Sequence, residues 1–360
     1  MKQTALFKQR FFAAYCFLLL QIVLFSAACK KDAGTMLSDI IYVRHAGADM
    51  PAYIYGNVNK KVFIVVLHGG PGDNGLDYRH GMAAAELEKQ YVMVYWDQRG
   101  QGLSEGKFSK QDVTINLLAD DLFALLRVLK YKYGNDVKIF LLGHSWGGEL
   151  GTAFLLNAHY QKEVKGWIEV DGAHDIPKVN IETAKMILKT ANEQIALGNS
   201  KKEWQKMVSE VEQTDTCNIT VKQGRELNKK ARIAEKLMLN DGFINKPESA
   251  SLSDAAVWYR QDFLTGSLSA VNFYLLNSAF FNQIETTSYT NQLHKITLPT
   301  LLLWGKYDFI VPPALGYSAF NHIQSSEKKI VIFAESGHSP MLNQPCEFVE
   351  SVTEFIEKFR

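Results

Sequence analysis

The chain has 360 residues, 47% of them hydrophobic and 21% charged, which is enough to bury a large core in one or two domains. Its 39 basic and 38 acidic residues leave a formal charge of +1. That balance carries no electrostatic footprint for nucleic acid or for a strongly charged partner.

The first thirty residues differ from the rest. "MKQTALFKQR" carries Lys2, Lys8 and Arg10 and no acid; "FFAAYCFLLLQIVLF" is apolar apart from Gln21; "SAAC" follows. A basic start, a short apolar run and small residues read as a secretory signal over residues 1–28. The rival is an uncleaved anchor, because the run from Phe11 to Ala28 lies at the lower edge of the roughly 20 residues that span a bilayer. "FSAACKKD" resembles a bacterial lipoprotein cleavage site, with Ser26 where that pattern usually has Leu. The resemblance implies lipid on Cys29 and a polar tether over residues 29–38, hence an exported, membrane-tethered protein of the cell envelope. Cys217 and Cys346 then remain, to pair or stay free. No CxxC and no His/Cys cluster has metal spacing, so neither a metal nor an organic cofactor is implied.

Beyond the tether, short apolar runs alternate with longer helical patterns. Residues 40–44, 52–56, 62–68, 91–96, 138–143, 166–170, 300–304 and 329–334 read as strands. The later runs are continuously apolar, as in strands covered on both faces of a parallel sheet. "INLLADDLFALLRVLKYKYG" has helical spacing and stops at Gly134, and "CEFVESVTEFIEKF" closes the chain as an amphipathic helix. This order predicts an α/β fold, with a core over residues 39–174 and 296–360. Between them, residues 175–295 are polar and helix-prone, and read as an inserted helical cap.

Four elements carry chemistry. "LLGHSWGGELG" sets Ser145 between Gly143 and Gly147, a G-x-S-x-G pattern that chance supplies in roughly one chain in ten of this length. Context lifts it: an apolar strand precedes it and a helical pattern follows, the setting of a nucleophile elbow. "LHGGPG" follows another strand directly, and such a loop lets backbone N–H groups approach a developing oxyanion. Asp308 in "LLLWGKYDFIVPP" and His338 in "FAESGHSPMLNQP" each follow a strand. A serine hydroxyl is a poor nucleophile near neutral pH and needs an imidazole to take its proton. Asp171, after "GWIEV", is the rival acid. Glu149, four residues after Ser145, reads either as an anchor for a substrate amine or as half of an ion pair buried under the elbow.

Taken together, these motifs resemble the α/β-hydrolase superfamily over most of the chain after residue 40. "HGGPG" with "YWDQRGQGLS" resembles its proline iminopeptidase branch, peptidase family S33. The resemblance implies Ser145 as nucleophile, His338 as base and Asp308 as its orienting acid, with the N–H groups of Gly70 and Trp146 as oxyanion hole. Gly69 and Glu149 are candidates for substrate binding, and Asp97 and Arg99 for bracing loops near the site. The implied activity is release of N-terminal residues from short peptides. "GHSWGG", with His144 and Gly148, is closer to esterases and lactonases, so a carboxylesterase or lactonase on a small acyl substrate stays open. A non-catalytic binding protein on the same scaffold is the remaining reading. Glu193, Glu203, Glu210, Glu212 and Asp215 are available in the cap as amine anchors, although a Glu/Lys-rich helical surface is usually just solvated.

Overall fold

The computed structural model describes residues 35–247 and 278–360. The signal, Cys29 and most of the tether lie outside the described residues. No helix among the described residues is long and apolar enough to cross a membrane.

Among the described residues, nine strands form one sheet: β1 (Met36–His45), β2 (Ala48–Asn57), β3 (Val62–Leu67), β4 (Val92–Trp96), β5 (Glu105–Gly106), β6 (Lys138–His144), β7 (Gly166–Val170), β8 (Thr300–Gly305) and β9 (Lys328–Phe333). The order is β1-β2-β4-β3-β6-β7-β8-β9, with the two-residue β5 on β2. β1, β2 and β4 pair antiparallel in sequence; from β4 to β9 every pairing is parallel. The chain leaves β3 toward β4 on one side and returns to β6 on the other. A crevice therefore opens at the carboxyl ends of β3 and β6, where ligands of such sheets bind.

The apolar runs account for this architecture. Every residue of β3, β4, β7 and β8 is buried, as helices on both faces require. β9 corrects the expectation of burial on both faces. It is an edge strand, paired among the described residues only with β8, so it is mostly half-exposed and starts with Lys328 and Lys329. β1 and β2 run longer than the apolar runs that marked them. β2 continues through Pro51, which faces the gap between the β4 and β5 ladders, so its missing N–H breaks no ladder bond.

The helix Ile115–Tyr133 begins where the Thr114 side chain accepts from Leu117 N–H (3.1 Å) and ends at Gly134. Between β7 and β8 the chain forms the helices Ile176–Leu197, Lys201–Val211, Val221–Asn240 and Ser278–Thr286. The entry and exit of this insertion are pinned together at Asp175. Its carboxylate caps the first helix through Lys178 N–H (3.1 Å) and accepts from the Ser288 and Thr290 hydroxyls (2.6 Å each).

Candidate active site

Ser145 sits between β6 and the helix Trp146–Leu155 at φ 56°, ψ −120°, a strained conformation for a residue with a Cβ. Its neighbours hold it there. Ser145 N–H donates to the Val170 carbonyl (3.0 Å), and its carbonyl accepts from Gly148 (2.9 Å) and Ala173 (3.0 Å). The elbow packs against the end of β3 so closely that a Cβ on Gly147 would stand 1.9 Å from the Leu67 carbonyl oxygen. The loop "HGGPG" starts at that same carbonyl, which is how two distant motifs become neighbours.

The N–H groups of Gly70 and Trp146 have no acceptor among the described residues, and both residues line one cavity with Ser145. Gly69 differs. Its N–H donates to the Tyr78 hydroxyl (2.8 Å) and is not available to a substrate. What glycine provides there is proximity: a Cβ would lie 3.3 Å from that of Ser145.

His338 and Asp308 meet as the motif order requires. Asp308 Oδ2 lies 2.8 Å from His338 Nδ1, while Oδ1 accepts from the N–H groups of Ile310 and Val311 at 2.8 Å each. Burial pushes the His338 imidazole down to about 4. Asp171 does not contact the imidazole directly but faces Asp308. Its Oδ1 accepts from Gly305 N–H (2.9 Å) and its Oδ2 has no hydrogen-bond partner among the described residues. Desolvation and then the charge of Asp308 hold the Asp171 carboxyl well above its ordinary value, so Asp171 carries the proton of this pair. From the inserted helices, Glu235 reaches the same loop and accepts from His338 N–H (3.1 Å).

Sequence reasoning missed the network that joins these loops. Gly69 N–H donates to Tyr78 Oη, and Tyr78 Oη lies 2.6 Å from His144 Nδ1. His144 Nε2 lies 2.6 Å from the His338 carbonyl oxygen. Burial pushes His144 down to about 3, so it is neutral. A carbonyl only accepts, which puts the His144 proton on Nε2 and makes Tyr78 the donor to Nδ1. The only sequence signal was His144 itself, in a position where the iminopeptidase pattern has Gly.

"DQRG" braces the other side. Asp97 accepts from Gly75 N–H (2.7 Å) and Leu103 N–H (2.8 Å), and burial raises it to about 6. Gln98 Nε2 donates to the His68 carbonyl (3.1 Å), and its Oε1 accepts from the Trp146 indole (2.8 Å). The "HGGPG" loop and the elbow are thus tied through one side chain.

The cavity against Ser145 has a volume of about 660 Å³ and reaches up to the helix Val221–Asn240. Glu149 lines it, fully buried, and neither carboxylate oxygen has a hydrogen-bond partner among the described residues. The ion pair entertained for Glu149 is absent among the described residues. The nearby Thr287 hydroxyl donates instead to the Gln283 carbonyl (2.8 Å). Desolvation holds the Glu149 carboxyl well above its ordinary value. Glu193, Glu203, Glu210, Glu212 and Asp215 are exposed and line no part of this cavity; Glu210 pairs with Lys230. Cys217 and Cys346 are exposed and unpaired. His144, Asp171 and His338 bring potential metal-ligand atoms within 4.8 Å of one another. Both nitrogens of His144 and Nδ1 of His338 are already committed to hydrogen bonds, so the cluster reads as a hydrogen-bonded site.

A family model described as alpha/beta hydrolase fold matches residues 62–345. The chain belongs to the alpha/beta hydrolase family. Among curated relatives, a proline iminopeptidase of Saccharolobus solfataricus is 27% identical over 325 residues, covering 88% of this chain and 92% of its own length. The probable aminopeptidase YbaC of Bacillus subtilis is 25% identical, covering 82% and 88%. Among solved structures, a proline iminopeptidase of Mycobacterium smegmatis superposes with a TM-score of 0.61 at 16% identity, covering 89% of this chain and 98% of that one. An esterase of Exiguobacterium antarcticum does so at 0.56 and 17%, covering 89% and 100%. This α/β hydrolase therefore shares its fold with both peptidases and esterases, and is itself a hydrolase by family.

Proposed function

We propose that this hydrolase releases N-terminal residues from short peptides through Ser145, His338 and Asp308. His338 Nδ1 is committed to Asp308, so Nε2 takes the Ser145 proton as Oγ attacks the scissile carbonyl. The Gly70 and Trp146 N–H groups receive the oxyanion, at the amino end of a helix whose dipole favours negative charge. His338 then protonates the leaving amine, and water hydrolyses the acyl-enzyme by the reverse sequence.

The observation that carries the peptidase reading is Glu149. A buried carboxyl without a donor is costly to ionise, and a substrate ammonium entering the cavity supplies the missing counter-charge. A neutral ester has no use for it. The relatives named as iminopeptidases and aminopeptidase agree with this reading. "GHSWGG" favours the second reading, an esterase on small acyl substrates. Labelling by a fluorophosphonate at Ser145, followed by rates on prolyl and alanyl arylamides against p-nitrophenyl esters, decides among them. Absence of the Ser145 adduct would indicate a binding protein, and ester turnover without arylamide turnover an esterase. Glu149→Gln is expected to lower kcat/KM for free-amine substrates about tenfold or more while ester turnover changes little; equal losses on both would remove Glu149 as the anchor.

The pH profile follows from His338. A base must be neutral to accept a proton, and burial disfavours its imidazolium. On a neutral ester, kcat/KM is therefore expected to hold on acidification and to fall only through about pH 4. An acid limb at the ordinary histidine value, near 6.5, would contradict this.

The same proposal puts the enzyme at the cell envelope, on the sequence of residues 1–29 alone. A mature chain whose mass shows acyl groups on an N-terminal Cys29 is the expected finding.

A further inference from the structure

We infer that the roof of the cavity is a carboxylate-binding subsite, so that the substrates are peptides of about two to four residues with a free C terminus. This rests on the aminopeptidase reading and adds the recognition of the far end of the substrate.

The floor of the cavity carries one acid, and its roof carries four cations against two acids, Glu226 and Glu285. Glu149 lies on the Ser145 side, and the helix Val221–Asn240 contributes Lys222, Arg225, Lys229 and Arg232 to the lining. Steps of three, four and three residues put these four cations on one face of the helix. Two have acidic partners, Arg225 with Glu285 (3.1 Å) and Lys229 with Glu226 (2.8 Å). Lys222 and Arg232 carry no ion pair among the described residues. The Nε of Arg232 donates to Asn228 Oδ1 (3.2 Å), an uncharged acceptor. The charge of Arg232 also reaches His338, Asp308 and Glu235, disfavouring the imidazolium and favouring the two carboxylates, which marks this end of the row as the catalytic end.

The lengths agree with short peptides. At 1.5 Å per residue the row from Arg232 to Lys222 extends about 15 Å. An extended peptide advances about 3.3–3.6 Å per residue, so two to four residues span about 7–14 Å. A peptide whose ammonium meets Glu149 and whose first carbonyl meets Ser145 then brings its terminal carboxylate beneath this row. Arg232 serves the shortest peptides, since a guanidinium offers a carboxylate paired donors, and Lys222 the longest. A longer peptide, or one with a blocked C terminus, presents no charge there.

Steady-state kinetics on an alanyl dipeptide, its C-terminal amide and the alanyl arylamide test this. The free acid is expected to show a KM about tenfold or more below that of the amide, with the difference shrinking as salt is added. In Arg232→Gln the acid-to-amide ratio is expected to approach one, and in Arg232→Lys to lie between. Equal KM values for acid and amide in the unaltered enzyme would overturn the subsite while leaving the aminopeptidase reading intact. An Arg232→Gln variant that keeps the ratio would overturn it equally. Absence of turnover on all three substrates, with Ser145 still labelled, would instead remove the aminopeptidase reading and this inference with it.

Discussion

Asp308→Asn is expected to cost about 10² in kcat, and Asp171→Asn/Asp308→Asn about 10⁴. The larger figure is the usual cost of replacing the acid of a serine–histidine pair by its amide. The single variant loses less because a second carboxyl stands behind the first. Burial raises both carboxyls, Asp308 to about 8 and Asp171 well above its ordinary value, and Asp308 is the one that ionises first. Two backbone N–H groups and the imidazole hold it, while Asp171 has one donor and an oxygen without a partner among the described residues. Two carboxylates so close cannot both ionise, so Asp171 keeps its proton as long as Asp308 carries charge. Removing that charge releases Asp171 to ionise. One of its carboxylate oxygens lies within 4.8 Å of one ring nitrogen of His144 and of one of His338. A unit charge at that distance, at an effective dielectric of about 20, stabilises the imidazolium by about 3 kcal/mol, some two of the four decades. Asp171→Asn alone leaves the Asp308–His338 pair in place, so its loss should be a few-fold at most. The measurement is kcat on a p-nitrophenyl ester for the three variants, each first shown to be folded. A single Asp308→Asn as inactive as the double variant would show that Asp171 contributes no charge to His338.

The sheet was legible because its strands are covered on both faces, which writes them as unbroken apolar runs; β3, β4, β7 and β8 lie where those runs do. The runs carried no information about which strand would be an edge, so the exposure of β9 was not readable from "KIVIFA". β5 has two residues, too short for any periodicity. Within the site, what was legible is what a motif places at a strand end: Ser145, the "HGGPG" loop, Asp308 and His338. What was not legible is what depends on three loops meeting. Tyr78, His144 and the His338 carbonyl are far apart in sequence, and only the folded chain turns His144 into a tie between the elbow and the histidine loop. Glu149 was ambiguous for the same reason. Its sequence position set it one turn below Ser145, but the absence of a partner among the described residues is a property of everything packed around it.

Arg99→Ala is expected to lower the unfolding free energy by about 3–5 kcal/mol, the usual cost of breaking a buried ion pair from one side. Arg99 is fully buried and uses its whole fork. Nε and Nη2 grip Asp121 at 2.7 and 2.5 Å, while Nη1 and Nη2 reach the carbonyls of Ala46 (2.9 Å) and His45 (3.0 Å). It thereby joins the loop after β4, the β1–β2 turn and the helix Ile115–Tyr133. Truncation leaves Asp121 buried with His45 as its one partner among the described residues (2.6 Å) and two carbonyls without their donor. Arg99→Met/Asp121→Leu removes both charges and should recover most of the loss, because an apolar pair of similar volume has no desolvation cost to offset. Urea melts of the two variants make the comparison, and a loss under about 1 kcal/mol in Arg99→Ala would count against it. Activity should not recover in step with stability. Gln98, the next residue, holds the His68 carbonyl to the Trp146 indole, and its placement depends on a loop that Arg99 anchors through polar contacts no apolar pair reproduces. A double variant that is stable yet slow would separate the two roles of "DQRG", holding the domain together and aligning the "HGGPG" loop with the elbow.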